Sequence, residues 1–307
     1  MNNTLTAIRG IKVGHYTDDL AKTGCTAIIF KGGAVCGVDV RGAAPGTRET
    51  DLLSGYHLVD RVNAVMLSGG SAFGLASADG AMKWLSGRGM GFDSGICPVP
   101  IVPAAVVFDL AVGDSLVRPD ANAGYAACEA ATDAEVARGS VGAGAGATVG
   151  KLLGMEHSQK GGVGSFAFTL PGGITVAALV VVNALGDVYD HHTGEIIAGV
   201  QKDGVHMNAM KLLASPIVAP AAGANTTIGV VATNAKLTRE EANRLATMGH
   251  DGLAMAIRPV HTPFDGDTLF GVSTGEVAVE GEDVLFAIFA AAAEVTAKAV
   301  QDAVQPC

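Results

Sequence analysis

Glycine is the feature that most narrows what this chain can become. It occupies 42 of 307 positions, about twice its ordinary ~7% share. There is no collagen-like period, and with only 11 prolines the chain does not read as low-complexity disorder. Hydrophobic residues make up 49% of the sequence but aromatics only 5%. The core must therefore be assembled from Ala, Val, Ile and Leu, with backbones that approach closely. A chain of this length buries roughly 75% of its unfolded surface, enough for a large core.

Glycine-rich loops also raise the question of nucleotide binding. Gly142-Ala143-Gly144-Ala145-Gly146-Ala147 fits the loose pattern G-x-G-x-x-A, but no buried strand precedes it and no clean helix follows. Gly150-Lys151 resembles the end of a phosphate loop, yet Ala145 stands at the required glycine and Leu152 replaces the Ser/Thr. No cofactor is expected. Gly69-Gly70-Ser71 does lie between a strand and a helix. Its backbone N–H groups could hold a substrate carboxylate or oxyanion, and a tight packing turn explains it equally well.

Thirty acidic against twenty basic residues leave a net charge of −10. With no Lys/Arg cluster, nucleic-acid binding is excluded as an expectation. The apolar runs Ile174–Val182 and Val284–Ala293 fall short of the ~20 residues of a membrane span. The start, MNNTLTAIRG, has no signal-peptide core, so a cytoplasmic protein is expected. Cys25, Cys36, Cys97, Cys128 and Cys307 never form CxxC and read as buried or incidental thiols. The histidines show no metal-ligand spacing, and Asp190–Thr193 reads as a surface turn, so no metal is expected.

Periodicity and breakers predict strands at Thr26–Lys31 and Ala34–Val40 around a Gly32-Gly33 turn, a short helix at Thr50–Val62, and a strand at Asn63–Leu67. A helix runs to about Leu85, and Pro119–Val136 looks helical. Val163–Leu170 and Ile174–Asn183 form a hairpin across Pro171-Gly172-Gly173. Gln201–Asn225, with Pro216 and Pro220, reads as an exposed irregular loop. A strand at Thr227–Thr233 follows, then a helix opened by a Thr238/Glu241 capping box, a strand at Thr268–Thr274 and a last helix, Asp283–Val304. The first half of that helix is apolar nearly all round, so it should be sandwiched.

Two stretches can carry chemistry. In Asn225-Thr226-Thr227 a loop meets a strand. A simple strand start accounts for it, and a glycosylation acceptor does not without export. The functional reading is self-cleavage: the Thr226 hydroxyl attacks the Asn225 carbonyl, the peptide becomes an ester, and water frees a chain that begins at Thr226. Its α-amine, with a reference pKa of ~7.7–8.0, then serves as base to its own hydroxyl. In His261-Thr-Pro-Phe-Asp265-Gly-Asp267-Thr268 two carboxylates could orient an amine and a hydroxyl. An Asp-Gly turn explains Asp265-Gly266 equally well.

Together, Leu67-Ser-Gly-Gly-Ser-Ala-Phe-Gly-Leu75, Gly223-Ala-Asn-Thr-Thr-Ile228, Ala232-Thr-Asn234 and Arg258 to Phe270 resemble the DmpA-type aminopeptidases. They are similar in particular to the branch of endo-type nylon-oligomer (6-aminohexanoate-oligomer) hydrolases. The resemblance runs from Gly10-Ile-Lys-Val-Gly-His15 nearly to the end. It implies an α/β (α+β) fold, a four-layer αββα sandwich. It also implies one domain spanning 1–307 that cuts itself into 1–225 and 226–307, cofactor-free hydrolysis of short peptides, aminoacyl amides or related oligomers, and homo-oligomers of tetramer size or larger. By position it makes Thr226 the nucleophile, places Asp265 and Asp267 as the acidic pair, Lys151 as a nearby cation, and Asn183 as an oxyanion donor. One departure is that classical members carry a serine nucleophile with Ser-x-Glu, against Thr and Asp-x-Asp here. The alternatives are an acyltransferase of the ornithine acetyltransferase type on the same architecture, and an uncleaved, non-catalytic homologue.

Overall fold

The computed structural model describes residues 2–214 and 225–305. Among the described residues nine strands share one hydrogen-bonded sheet. In chain order the strands used here are β1 (Ile11–Asp18), β2 (Thr23–Val40), β3 (Thr47–Arg48), β4 (Arg61–Ser68), β5 (Ala104–Val106), β6 (Gly162–Thr169), β7 (Thr175–Asn183), β8 (Thr226–Ala235) and β9 (Thr268–Val277). The order is β6-β7-β8-β9-β2-β4-β5-β3, with β1 also paired to β2. The helices that cover it are α1 (Ser77–Ser86), α2 (Ala121–Glu129), α3 (Arg239–Ala256) and α4 (Glu282–Asp302).

β2 folds this sheet into two layers. Its first half pairs with β1 and β4, and its second half, Val35–Val40, pairs with β9. The expected Gly32-Gly33 turn between two strands is not there: Thr23–Val40 is one strand. Both glycines have positive φ (+85° and +74°), and the register against β4 shifts between Ile29 and Ala34. They act as a bulge that redirects one strand rather than a turn that ends it. The N-terminal partner β1 is a further strand that the sequence pattern did not reveal.

Period-2 alternation then fills three apolar layers. Leu179, Val181, Ile228, Val230 and Phe270 meet Ile28, Phe30, Val65 and Leu67 between the two halves of the sheet. The intervening residues Val176, Val180 and Val231 face Leu245, Leu253, Val295 and Val300 of α3 and α4. On the opposite side, Ala27, Ile29 and Met66 face Ala78, Leu85 and Ala127 of α1 and α2. The result is the expected αββα sandwich. Glycine lets the helices sit this low: a Cβ on Gly271 would lie 2.0 Å from the Ala242 carbonyl oxygen of α3.

Other expectations need correcting. Thr50–Val62 is helical only as a 3-10 turn at Asp51–Leu53. Beyond it the carbonyls of Gly55, His57 and Val59 accept from the Arg239 guanidinium instead of from helix N–H groups. Pro119–Val136 is helical only over Ala121–Glu129, because Thr132 turns to bridge Val13 of β1. The described part of Gln201–Asn225 is not wholly irregular: Gln201–Lys202 pairs with Val205–His206, and Ala209–Leu212 forms a helical turn. Positions 215–224, with Pro216 and Pro220, lie outside the described residues. The capping box at Thr238 and Glu241 is present in both directions. The first half of α4 is not sandwiched. It buries Ile288 and Ala292 but leaves Phe286 73% exposed and Val284, Leu285 and Phe289 half-buried, because a helix in an outer layer has one face to bury. Cys25, Cys36 and Cys128 are buried free thiols, Cys97 is exposed, and Cys307 lies outside the described residues. Among the described residues no helix is long and apolar enough to cross a membrane.

Candidate active site

Four strand ends converge at one edge of the sheet. β8 and β9 run parallel with Ile228 opposite Thr268, so both strands start there. β7 is antiparallel to β8 and ends with Asn183 directly opposite Thr226. β2 is antiparallel to β9 and ends with Val40 opposite Thr268. Residues distant in sequence, at 183, 226 and 265–267, thereby meet by topology alone.

Thr226 is buried, and its hydroxyl donates a short hydrogen bond to the carbonyl oxygen of Asn225. That same carbonyl accepts from the Gly266 N–H at 3.0 Å. Asn225 and Asp265 form a parallel bridge, which sets the Asp265-Gly266-Asp267 turn against the peptide bond ahead of Thr226. Glycine is required at 266, since a Cβ there would lie 2.6 Å from the Ala44 carbonyl oxygen and 3.0 Å from Thr226 Oγ1.

Both carboxylates are buried. Asp267 Oδ1 accepts from the Thr227 N–H at 2.6 Å, while Oδ2 takes the His261 N–H at 3.1 Å and the His261 ring Nδ1 at 2.8 Å. Asp265 accepts from the Thr262 N–H at 2.6 Å. Burial, then the neighbouring charge of Asp267, pushes the Asp265 carboxyl up to about 6. His261 is a non-glycine residue at φ +56°, a conformation held by these bonds to Asp267.

Lys151 is buried, and Nζ donates to the Asn183 carbonyl at 2.9 Å and to Asn183 Oδ1 at 2.7 Å. Burial lowers its ammonium to about 7, against the opposing pull of Asp265. Asn183 Oδ1 also accepts from the Thr148 N–H at 3.0 Å, and its Nδ2 donates to the Phe108 carbonyl at 3.0 Å. The structure thus gathers Asn225, Thr226, Asp265, Asp267, Asn183 and Lys151, which the sequence had singled out.

The glycine turn adjoins this site through one short segment. Ser71 N donates to Val107 O at 3.0 Å and Gly70 N to Asp109 Oδ1 at 2.7 Å, while the residue between, Phe108, holds Asn183. Gly69 N donates to Gly24 O at 2.8 Å. All three N–H groups of Gly69, Gly70 and Ser71 are therefore engaged inside the protein, and the packing-turn reading describes them. Burial pushes the Asp109 carboxyl up, opposed by its bonds from Thr23 and Gly70.

Sequence reasoning missed Asp109, the Gly266 N–H as a partner of the Asn225 carbonyl, and the Arg41–Ala44 stretch. The N–H groups of Arg41 and Gly42 donate to Asp267 O, and that of Ala44 donates to Asp265 O. None of these has a motif, because each acts through its backbone or sits in an apolar run.

Comparisons with known proteins identify the family and the fold. The model of peptidase family S58 matches residues 3–306. An uncharacterized aminopeptidase of Mycobacterium tuberculosis is 45% identical over 97% of this chain and 92% of its own. A 6-aminohexanoate-oligomer endohydrolase of a Kocuria species is 32% identical over 87% of this chain and 74% of its own. Among solved structures, the L-aminopeptidase D-Ala-esterase/amidase of Ochrobactrum anthropi, described as a variant of the Ntn-hydrolase fold, superposes with a TM-score of 0.75. It is 19% identical, with 98% of this chain and 85% of that one covered. A Burkholderia beta-aminopeptidase gives 0.74 at 22% identity, covering 99% and 86%.

Proposed function

The chain belongs to peptidase family S58, and from that premise we propose that it is a self-processing hydrolase of peptide and amide bonds with Thr226 as its N-terminal nucleophile. The observation that carries the reading is the pair of contacts on one carbonyl: the Asn225 oxygen receives both the Thr226 hydroxyl and the Gly266 N–H. In the first reaction Thr226 Oγ1 bonds to the Asn225 carbonyl carbon. The Gly266 N–H stabilises the negative charge that develops on the oxygen. The C–N bond breaks, the Thr226 nitrogen takes the hydroxyl proton, and water hydrolyses the resulting ester to give 1–225 and 226–307.

In the second reaction the freed α-amine accepts the hydroxyl proton as Oγ1 attacks a substrate carbonyl. The leaving amine departs protonated, and water releases the acyl group. The new amine lies opposite Asn183, which holds Lys151. A cation there lowers the pKa of the amine and keeps more of it in the basic form. Asp267 fixes the next residue through the Thr227 N–H, and the Asn183 amide serves the oxyanion. The names of the relatives point to short peptides, aminoacyl amides and ω-amino-acid oligomers as substrates. The same reading makes the protein a homo-oligomer of cleaved protomers, in which a second copy covers the exposed apolar face of α4; light scattering measures the mass.

Intact-mass measurement under denaturing conditions, together with hydrolysis of an aminoacyl amide, tests this. The wild type should give the two pieces, and Thr226→Ala one piece with hydrolysis reduced by at least about 10⁴-fold. An uncut wild-type chain that persists for days, or a Thr226→Ala variant that still hydrolyses, would overturn it.

A further inference from the structure

The turn after the short strand Asp187–Tyr189 holds a cluster that the reaction at Thr226 does not use. Asp190 shapes it: Oδ1 accepts from the N–H groups of His192 and Thr193 at 2.9 Å each, and its carbonyl accepts from the Gly194 N–H at 2.7 Å. This confirms the surface turn read from the sequence. Consecutive side chains on a turn usually diverge, but here the two imidazoles stand side by side, with ring centroids 3.9 Å apart. Both aim Nε2 at one carboxylate on α4. His191 Nε2 is 3.0 Å from Glu294 Oε2, and His192 Nε2 is 3.3 Å from Glu294 Oε1. The ligand atoms of the three residues all lie within 4.8 Å of one another.

We propose that His191, His192 and Glu294 form a binding site for a divalent transition-metal ion of the Zn²⁺ class. Two imidazole nitrogens and one carboxylate oxygen suit Zn²⁺ rather than Ca²⁺ or Mg²⁺, which take oxygen ligands. Three protein ligands leave a fourth position for water, and this side of the cluster is open: His192 is 58% and Glu294 40% exposed.

The inner ligand is built differently. The His191 side chain is only 2% exposed, and its Nδ1 contacts the Gln301 amide, which also reaches the Tyr189 carbonyl. Metal-bound histidines carry such an outer partner on their second nitrogen, which fixes the ring. In the metal-bound form the Gln301 amide turns its oxygen to meet Nδ1–H, giving up the Tyr189 carbonyl, and Nε2 presents its lone pair to the metal. In the ion-free form each ring instead carries its proton on Nε2 and donates that N–H to Glu294, so binding moves this proton to the other ring nitrogen or releases it. Without the ion, those hydrogen bonds keep the ligands together. The ion would pin the turn to α4. The same strand carries Asp187, whose carboxylate holds the Val200 and Ala209 N–H groups at 2.8 and 2.6 Å, so the pin supports the chain that leads toward the cut.

The purified full chain, stripped with EDTA and dialysed, is titrated with Zn²⁺ against a chromophoric chelator, and with Co²⁺ by its visible absorption. One ion per chain is expected, with a wild-type Tm that rises on addition of Zn²⁺. His192→Ala and Glu294→Gln each alter an exposed side chain and leave the fold intact by circular dichroism. Each should weaken Zn²⁺ binding by at least about tenfold and remove the rise in Tm. Absence of stoichiometric Zn²⁺ binding by the wild type overturns the site. So does undiminished binding by both variants, which would place the ion on other histidines such as His157 or His206.

Discussion

The start of β8 and the Gly69-Gly70-Ser71 turn are neighbouring strand ends, both buried and rich in polar groups, but they are finished in opposite ways. At the turn each backbone N–H has a partner, and Asp109 also takes the Thr23 hydroxyl at 2.7 Å; Ser68 Oγ beneath it is buried with no partner among the described residues. Around Thr226, the Asn225 side-chain oxygen, Thr227 Oγ1, His261 Nε2 and His250 Nδ1 are buried with no partner among the described residues. A buried polar atom left unpaired costs about 1–3 kcal/mol, so such atoms are rare in ordinary cores. Their concentration here fits the reaction proposed at Thr226. The turn spends its capacity on holding shape.

Substitutions can break this contrast. The largest effect is expected from Asp267→Asn, which removes the charge that fixes Thr227 and His261. Hydrolysis should fall by about 10²–10⁴-fold, measured as kcat/KM on an aminoacyl amide. Lys151→Met comes next, with a loss of about 10²-fold and a diagnostic dependence on pH. The Lys151 ammonium titrates near 7 in the native protein but near ~10.4 in an unfolded chain. Between those values the unfolded state holds more protons, so stability rises with pH across that window, and Lys151→Met should abolish the rise.

Asp265 has the opposite sign. Its native carboxyl keeps its proton up to about 6, while the unfolded one releases it near ~3.9. Stability therefore falls as pH rises through that interval, and Asp265→Asn should flatten the fall. Both slopes are read as Tm against pH in the Thr226→Ala background, which stays in one piece on this reading.

Asp109→Ala sharpens the comparison from the other side. It strands the Gly70 N–H and the Thr23 hydroxyl, costing about 1–3 kcal/mol in denaturant unfolding. It should leave kcat within about tenfold, because Asp109 acts only through the turn. A loss as deep as that of Asp267→Asn would make the two regions equal partners in catalysis. The smallest effect belongs to Ser71→Ala. The bond that this residue makes to Val107 is through its backbone, so kcat/KM should change by less than about threefold. A larger loss would return the turn to substrate binding.

Much of this protein was legible in its sequence. The excess of glycine with few aromatics called for close-packed layers. The Thr238/Glu241 box located α3, and the Asn225-Thr226 and Asp265-Gly266-Asp267 stretches named the groups proposed to react. These are local signals, since a cap, a hairpin turn or a short motif depends on neighbours within a few residues. The sequence did not reveal that Gly32-Gly33 bends one strand across both layers, because a glycine pair has the same composition in a bulge as in a hairpin. It also left open whether Gly69-Gly70-Ser71 offers N–H groups or spends them, which depends on Asp109 and Val107 nearly forty residues away. Above all, only the tertiary structure brought position 183 opposite 226 and set 265–267 beside both. Strand order and direction fix which ends share an edge of the sheet, and long-range pairing is not a property of any single stretch of chain.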